Sequence, residues 1–99
     1  MIYSIDEIRR IAAPIAADYG VKRLHLFGSY ARGEATEQSD VDLRIDCGKI
    51  KDLFEIGGLY NDLQESLQKR LDMVTTEGLD AAFLAGIKRD EVLIYEQQG

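Results

Sequence analysis

The chain has 99 residues, which corresponds to one small domain with a single hydrophobic core. Apolar residues make up 45% of it and charged residues 30%, a composition that excludes a disordered or fibrous protein. The formal net charge of −6 opposes non-specific binding to nucleic acid. We therefore expect one domain over residues 1–99 and no nucleic-acid partner.

Cysteine content and hydropathy indicate where the protein works. Cys47 is the only cysteine, which excludes an internal disulfide and predicts an inert thiol. No apolar run approaches the roughly 20 residues of a membrane-spanning helix, and no segment has the pattern of a signal peptide. These absences predict a cytoplasmic protein that does not associate with a membrane.

The first predicted element is a helix over about residues 5–19. Ser4 and Glu7 have the spacing of a capping box, and apolar residues then recur at helical intervals. Pro14 lies inside this segment and predicts either a kink or a junction between two shorter helices. Gly20 suits a left-handed helix end.

Two strands are predicted next. Apolar residues cluster within residues 21–27 too tightly for an amphipathic helix, so this segment predicts a strand that ends in a turn at Gly28 and Ser29. Residues 30–32 could begin a short helix. Residues 40–46 then alternate strictly between polar and apolar, the period of a half-buried strand. The apolar set faces the core (Val41, Leu43, Ile45), and the polar set faces the other way (Asp40, Asp42, Arg44, Asp46).

The remaining elements continue this alternation of strands and helices. Residues 53–67 predict a second long helix, although Gly57 and Gly58 would each cost about 1 kcal/mol in its interior and imply a break or a close packing contact. Residues 71–75 predict a short strand, residues 79–87 a helix and residues 92–95 a final apolar segment. The order predicts an α/β or α+β fold.

The acidic residues of the alternating strand are candidates for metal binding. Residues two apart on a strand share a face, so Asp40 and Asp42 would present neighbouring carboxylates, which is costly unless a cation lies between them. Mg²⁺ prefers one or two carboxylates together with substrate phosphates. Asp72, on the next predicted strand, could supply a third carboxylate, or it could be the solvent face of an edge strand.

The turn at Gly28 and Ser29 is a candidate phosphate site. It follows a strand and precedes a predicted helix start, where a residue without a side chain lets backbone amides approach a phosphate and a hydroxyl adds a hydrogen bond. Arg32 is close enough in sequence to help neutralise a polyphosphate, although a surface salt bridge explains it equally well. The turn and the acidic strand together predict one nucleotide-phosphate site.

The spacing of these residues carries a family resemblance. Gly28 and Ser29, followed after ten residues by Asp40 and Asp42, resemble the signature of the polymerase-beta-like nucleotidyltransferase superfamily. Residues 26–33 and 39–43 resemble the two motif blocks of its minimal nucleotidyltransferases, and residues 71–74 resemble the strand that carries their third carboxylate. The resemblance implies a short mixed sheet of about three to four strands flanked by helices.

Further implications of the resemblance concern chemistry and partners. Minimal domains of this kind are similar to the antitoxin partners of HEPN-domain toxins, which implies ATP as donor, Mg²⁺ as cofactor and a hydroxyl of a partner protein as acceptor. By the same resemblance, Asp40 and Asp42 would hold two Mg²⁺ ions. Asp72 would hold the metal on the acceptor side and could take the acceptor proton. Gly28 and Ser29 would cradle the outgoing pyrophosphate.

Two other functions stay open at this stage. A domain of the same fold could neutralise a partner by contact alone, with a vestigial site. Transfer to a small molecule is the other, although the relatives that perform it carry an extra helical domain that 99 residues cannot supply. We expect a partner chain, with apolar surface near Gly57 and Gly58 or near the C-terminus as a candidate interface.

Several other residues are expected to have no chemical role. We expect His25 to be structural on the outer face of its strand, Tyr30 to pack and Asp46 to be solvated. Three aromatic residues are expected to pack against the core: Tyr60, Phe83 and Tyr95.

Overall fold

The computed structural model describes residues 1–98, which form a four-stranded mixed sheet and four α-helices. This architecture confirms the predicted fold class. In chain order the elements are α1 (Ile5–Tyr19), β1 (Arg23–Phe27), α2 (Gly28–Arg32), β2 (Val41–Asp46), α3 (Leu53–Leu67), β3 (Leu71–Thr75), a 3₁₀ turn (Thr76–Gly78), α4 (Ala81–Lys88) and β4 (Val92–Glu96). Within this part of the chain, no helix is long and apolar enough to cross a membrane.

The sheet topology brings three chain segments to one edge. The strand order is β3-β2-β1-β4, with β1 antiparallel to both β2 and β4, and β2 parallel to β3. Because β1 and β2 run in opposite directions, the end of β1 meets the start of β2. Because β2 and β3 run in the same direction, the start of β3 lies at that edge too. The segments that carry Gly28, Asp40 and Asp72 therefore converge.

Helices α1 and α3 pack on one face of the sheet and enclose the core. The predicted alternation of β2 is confirmed, because its three apolar side chains are fully buried. Each helix contributes one apolar stripe at helical spacing. The fully buried residues are Ile8, Ala12 and Ala16 of α1, Leu59, Leu63 and Leu67 of α3, and Val21, Leu24, Leu26, Val41, Leu43 and Ile45. The opposite face of the sheet carries the polar side chains of β1, β2 and β3.

Helix α1 is continuous through Pro14, so the alternative of two shorter helices is wrong. The capping box is present: the Glu7 amide donates to Ser4 Oγ at 3.1 Å, and the Ser4 amide donates to Glu7 Oε1 at 2.8 Å. Gly20 ends the helix with a φ of 75°. Proline removes a single backbone donor, and the buried stripe on the other side of α1 outweighs that loss.

Helix α3 also runs without interruption, so the predicted break at the two glycines is wrong. The alternative, a close packing contact, is confirmed at Gly58, where a Cβ atom would lie 2.9 Å from Tyr19 Oη. Tyr19 uses this approach to donate a hydrogen bond to Asp62 at 2.6 Å, which ties α1 to α3. At Gly57 a Cβ atom would have no neighbour within 4 Å, so no packing contact requires a glycine at this position.

The last helix differs from its sequence prediction. It begins at Ala81, two residues after the predicted start, where Asp80 accepts a hydrogen bond from the Phe83 amide at 2.8 Å, and a 3₁₀ turn at Thr76–Gly78 precedes it. The Phe83 side chain is 51% exposed, so the expectation that it packs against the core is wrong. Leu53 and Phe54, at the start of α3, are also exposed. The two other aromatic residues, Tyr60 and Tyr95, pack against the core as expected.

Candidate active site

The register of the sheet aligns the predicted acidic residues. Asp42 lies opposite Phe27 of β1 on one side and opposite Asp72 of β3 on the other. Asp40 precedes β2 by one residue and shares the orientation of Asp42 because side chains alternate along a strand. Hence three carboxylates and the turn that begins at Gly28 meet at one edge, as the sequence predicted.

The carboxyl group of Asp42 has a raised pKa. Burial is the largest of the causes that raise it from 3.8 to about 6, followed by the negative charges of Asp72 and Asp40, against a smaller opposing effect of Arg32. Burial and repulsion by its two acidic neighbours disfavour the ionised carboxylate, and the charge of Arg32 offsets them only in part, so a further positive charge would stabilise the ionised form. The oxygen-only donor set suits a hard divalent ion such as Mg²⁺, which would supply that charge.

Asp40 turns toward a neighbouring cation. Its Oδ1 lies 3.6 Å from Nε of Arg70, the residue two before Asp72. Within residues 1–98, no three His, Cys, Asp or Glu side chains stand as a ready metal cluster. An ion shared by the three acids therefore requires side-chain rotation, and Asp40, whose side chain is 39% exposed, has the freedom to rotate.

Gly28 makes room for the Asp42 carboxylate. A Cβ atom at this position would lie 2.0 Å from Asp42 Oδ2, and the backbone φ of 75° is in the left-handed region that favours glycine. Two independent constraints therefore select glycine here. The close approach of backbone and carboxylate makes the turn and the acidic strand one site.

The turn leaves backbone donors available. Helix α2 begins directly at Gly28, and its N-cap residue, Phe27, supplies no side-chain acceptor for the first amides. Such amides are suited to bind an anion. Ser29 is partly exposed beside them, whereas the following side chain, Tyr30, is only 3% exposed and belongs to the core.

Arg32 forms the surface salt bridge that was one of the two roles considered for it. Its Nε donates to Glu34 Oε1 at 2.8 Å, and this hydrogen bond is the main cause of its raised pKa, with smaller contributions from Asp90 and Asp42. The side chain is 43% exposed. Arg32 also lines a groove of about 360 Å³ between the Gly28 turn and α4, whose other walls are Phe27, Ala82, Phe83, Gly86, Ile87 and Asp90.

A second polar cluster, which the sequence did not predict, occupies the same face of the sheet further along β2. Arg44 is 3% exposed, and its guanidinium donates to both carboxylate oxygens of Glu91, to Asp46 Oδ1 at 3.2 Å and to Thr76 Oγ1 at 2.6 Å. The prediction that Asp46 is solvated is wrong, because its side chain is 16% exposed and hydrogen-bonded. The only sign of this cluster in the local sequence was an arginine between two acids on the strand. Its other members, Thr76 and Glu91, come from distant segments.

The expectation that His25 is structural agrees with its surroundings. Its ring lies beside this cluster, with Nδ1 3.5 Å from Glu91 and Nε2 3.7 Å from Asp46. Burial, followed by the charge of Arg44, lowers its pKa and favours a neutral ring. Burial likewise raises the pKa of the Cys47 thiol, which keeps it protonated and unreactive.

Comparison with known proteins identifies the family of the chain. The family model described as "Polymerase beta, Nucleotidyltransferase" matches residues 10–99. The chain belongs to the polymerase beta nucleotidyltransferase family. The chain is thus a nucleotidyltransferase, an enzyme that transfers nucleotides.

Curated relatives indicate which nucleotidyltransferases the chain is similar to. The chain is 36% identical over 76 residues to "Protein adenylyltransferase MntA" of Thermococcus cleftensis, covering 77% of each chain. It is 43% identical over 72 residues to the "Putative protein adenylyltransferase MJ0435" of Methanocaldococcus jannaschii, covering 73% of this nucleotidyltransferase and 77% of that protein.

Solved structures agree on the fold. A minimal nucleotidyltransferase structure superposes with a TM-score of 0.79 at 29% identity, covering 91% of this nucleotidyltransferase and 95% of that chain. A toxin–antitoxin structure with AMP-PNP has a TM-score of 0.74 at 20% identity and covers 94% and 75% of the two chains. A tri-AMPylated Shewanella oneidensis HEPN toxin in complex with its MNT antitoxin gives a TM-score of 0.71 at 16% identity, with coverages of 95% and 74%.

Two glycines of this nucleotidyltransferase provide a matched test of the site. Gly28 and Gly33 have φ values of 75° and 74°, but only a Cβ at Gly28 would meet Asp42. We expect both alanine variants to lose about 1–2 kcal/mol of stability from left-handed strain. Gly28→Ala should in addition weaken Mg²⁺-dependent ATP binding at least about tenfold, because its methyl group displaces the carboxylate.

Isothermal titration with ATP and Mg²⁺, alongside urea denaturation of each variant, measures both effects. Equal loss of ATP binding in Gly28→Ala and Gly33→Ala would show that the approach to Asp42 has no functional consequence.

Proposed function

We propose that this chain is a Mg²⁺-dependent protein adenylyltransferase that moves AMP from ATP to a hydroxyl of a partner protein. The observation that carries the proposal is Asp42, whose pKa is raised to about 6 in register between the Gly28 turn and Asp72. This arrangement places a turn that is suited to phosphate binding beside a group of acids whose negative charges are only partly offset by neighbouring arginines. The names of the curated relatives support protein as the acceptor.

In this proposal the turn at Gly28 and Ser29 binds the phosphates of the nucleotide donor. The amides at the start of α2 and the Ser29 hydroxyl would hold the β- and γ-phosphates, and Arg32 would neutralise part of their charge. The nucleoside would extend into the groove of about 360 Å³ that begins at Gly28 and Arg32. Two Mg²⁺ ions at the acids would neutralise the charge that develops on the transferred and leaving oxygens.

The acceptor side belongs to Asp72. The acceptor oxygen forms a bond to the α-phosphorus while the bond from that phosphorus to the α–β bridging oxygen breaks, and pyrophosphate leaves. Asp72 takes the proton of the acceptor hydroxyl, since it lies on the far side of Asp42 from the turn. Positioning and charge neutralisation supply most of the rate in transfers of this kind.

The partner that we propose is a HEPN-type toxin, with this chain as its antitoxin. Support comes from structures of the same fold in toxin–antitoxin complexes, one with AMP-PNP and one with a tri-AMPylated HEPN toxin. We propose the same outcome for this chain: several AMP units are added to the partner in succession. Neutralisation by contact alone is the competing mechanism.

Labelled ATP separates these two mechanisms. The chain, Mg²⁺ and the co-purified HEPN partner should give labelled partner. Asp40→Asn or Asp42→Asn should reduce the rate at least about a hundredfold, because each removes a negatively charged ligand of the metal. Asp72→Asn should reduce it comparably. Asp18→Asn, on the exposed face of α1, is the matched control and should retain the full rate.

The outcome also bears on the antitoxin role. If toxin neutralisation persists unchanged in Asp40→Asn and Asp42→Asn, contact alone is sufficient and the antitoxin mechanism proposed here is wrong. If the unaltered chain leaves the partner unlabelled, the adenylyltransferase proposal itself is wrong.

Arg32 and Glu34 distinguish phosphate binding from a surface salt bridge. Arg32→Ala should raise the KM for ATP about tenfold, because a charge-assisted contact to phosphate is lost. Glu34→Ala removes the hydrogen bond to Arg32 and should leave the KM unchanged or lower it, since the guanidinium is then free to turn toward the nucleotide. Steady-state kinetics at varied ATP measures both. A similar rise of KM in the two variants would mean that the salt bridge, rather than the charge on Arg32, is what matters.

A further inference from the structure

A groove opens beside the acids on the side away from the phosphate turn. It has a volume of about 600 Å³, within the usual range for small-molecule sites, and it lies between the loop that precedes β2 and the turn that precedes β3. Asp40 forms part of its wall, so the groove adjoins the acids directly. The other lining residues are Met1, Tyr3, Glu37, Gln38, Ser39, Gln68, Lys69 and Arg70.

The direction of the reaction indicates what enters this groove. In nucleotidyl transfer the attacking and leaving oxygens lie roughly in line across the phosphorus. The edge of the sheet carries, in order, the Gly28 turn on β1, Asp42 on β2 and Asp72 on β3. With pyrophosphate leaving toward the turn, the acceptor arrives from the β3 side, where this groove lies.

Two basic side chains, Arg70 and Lys69, line the groove. Arg70 is 82% exposed, and its one ion pair within residues 1–98 is the contact between its Nε and Asp40 at 3.6 Å, too long for a hydrogen bond. Its terminal amino groups are therefore available to a ligand. Lys69 reaches across the groove and donates to the Glu37 carbonyl at 3.3 Å.

The acidic groups that line the groove offset these cations only in part. The Glu37 carboxylate is paired with the N-terminal ammonium at 2.6 Å, and this hydrogen bond is the main cause of its lowered pKa. Asp40 belongs to the site of transfer. A groove with two cations next to the reacting centre favours an acceptor that carries a negative charge beside its hydroxyl.

We propose that this groove binds an acceptor that has already received one AMP, with Arg70 and Lys69 on its phosphodiester. The inference rests on the proposed function and deepens it, because it assigns the residues that allow a second transfer. In that step a ribose hydroxyl of the attached AMP forms a bond to the α-phosphorus of a new ATP. The bond to the bridging oxygen breaks, pyrophosphate leaves toward the turn, and the hydroxyl proton passes to Asp72. Arg70 and Lys69 are positioning residues for elongation.

A binding measurement tests the groove without turnover. The donor site is filled with Mg²⁺ and an ATP analogue that has a methylene α–β bridge. A fluorescent peptide that carries one hydroxyl side chain, with or without AMP esterified to that hydroxyl, is then titrated with the full chain. We expect the AMP-bearing peptide to bind about tenfold more tightly, in keeping with charge-assisted contacts to phosphate.

Variants assign this preference to the two cations. Arg70→Ala and Lys69→Ala should each remove most of it and leave the affinity for the plain peptide unchanged, whereas Arg70→Lys should retain part of it. Lys51→Ala is the matched control, since Lys51 is exposed and outside the groove. With the partner protein as substrate, intact mass spectrometry should show that Arg70→Ala stops after one AMP.

Equal affinities of the two peptides for the unaltered chain, or an equal loss of the preference in Lys51→Ala, would overturn the assignment. A partner that gains several AMP units from Arg70→Ala and Lys69→Ala at the normal rate would overturn it as well. The peptide-binding results need no turnover, so they are independent of whether the chain transfers AMP. Failure of the groove and failure of the proposed function are therefore distinguishable.

Discussion

The repulsion between carboxylates at the edge of the sheet is the constraint on which the site depends. Asp42 is partly buried, faces Asp72 across a parallel pair of strands and feels the charge of Asp40, so its pKa rises to about 6. The core on the other face of the sheet maintains this arrangement, because the buried side chains of β2 set its register. In the proposed function a divalent cation would offset this repulsion and the phosphates of the nucleotide would complete its coordination, so substrate and metal would bind as one unit.

One strand places two aspartates in opposite electrostatic environments. Burial acts on Asp46 as on Asp42, but hydrogen bonds from Thr76 and Arg23 and the charge of Arg44 lower the pKa of Asp46. The two residues share a face of β2 and differ in their partners. Asp46 is compensated within the protein and serves to anchor the segments around Thr76 and Glu91, whereas Asp42 is left for external charge. This contrast supports the proposal that the chemistry takes place at the Asp42 end of the strand.

Local patterns in the sequence predicted most elements and the candidate residues of the site. The capping box and the alternation of β2 depend on neighbours along the chain, and the structure confirms both. The register of the sheet brings the turn at Gly28 and Asp42 together. The errors concern contacts between distant segments. Asp46 was expected to be solvated because Thr76 and Arg23, which donate hydrogen bonds to it, lie on other segments of the chain. Phe83 was expected to pack because an aromatic residue on a helix gives no indication of what covers it. The strand order, which aligns Asp72 with Asp42, likewise required the fold.

The titration of the Asp42 carboxyl group tests the central claim most directly. Carbon-13 NMR of the full chain, assigned with Asp42→Asn, measures its pKa in the absence and presence of Mg²⁺. Without the metal the pKa should lie near 6, and saturating Mg²⁺ and nucleotide should lower it by more than about one unit, because the cation favours the ionised form. An ordinary pKa near 3.8 that does not respond to Mg²⁺ would contradict the account.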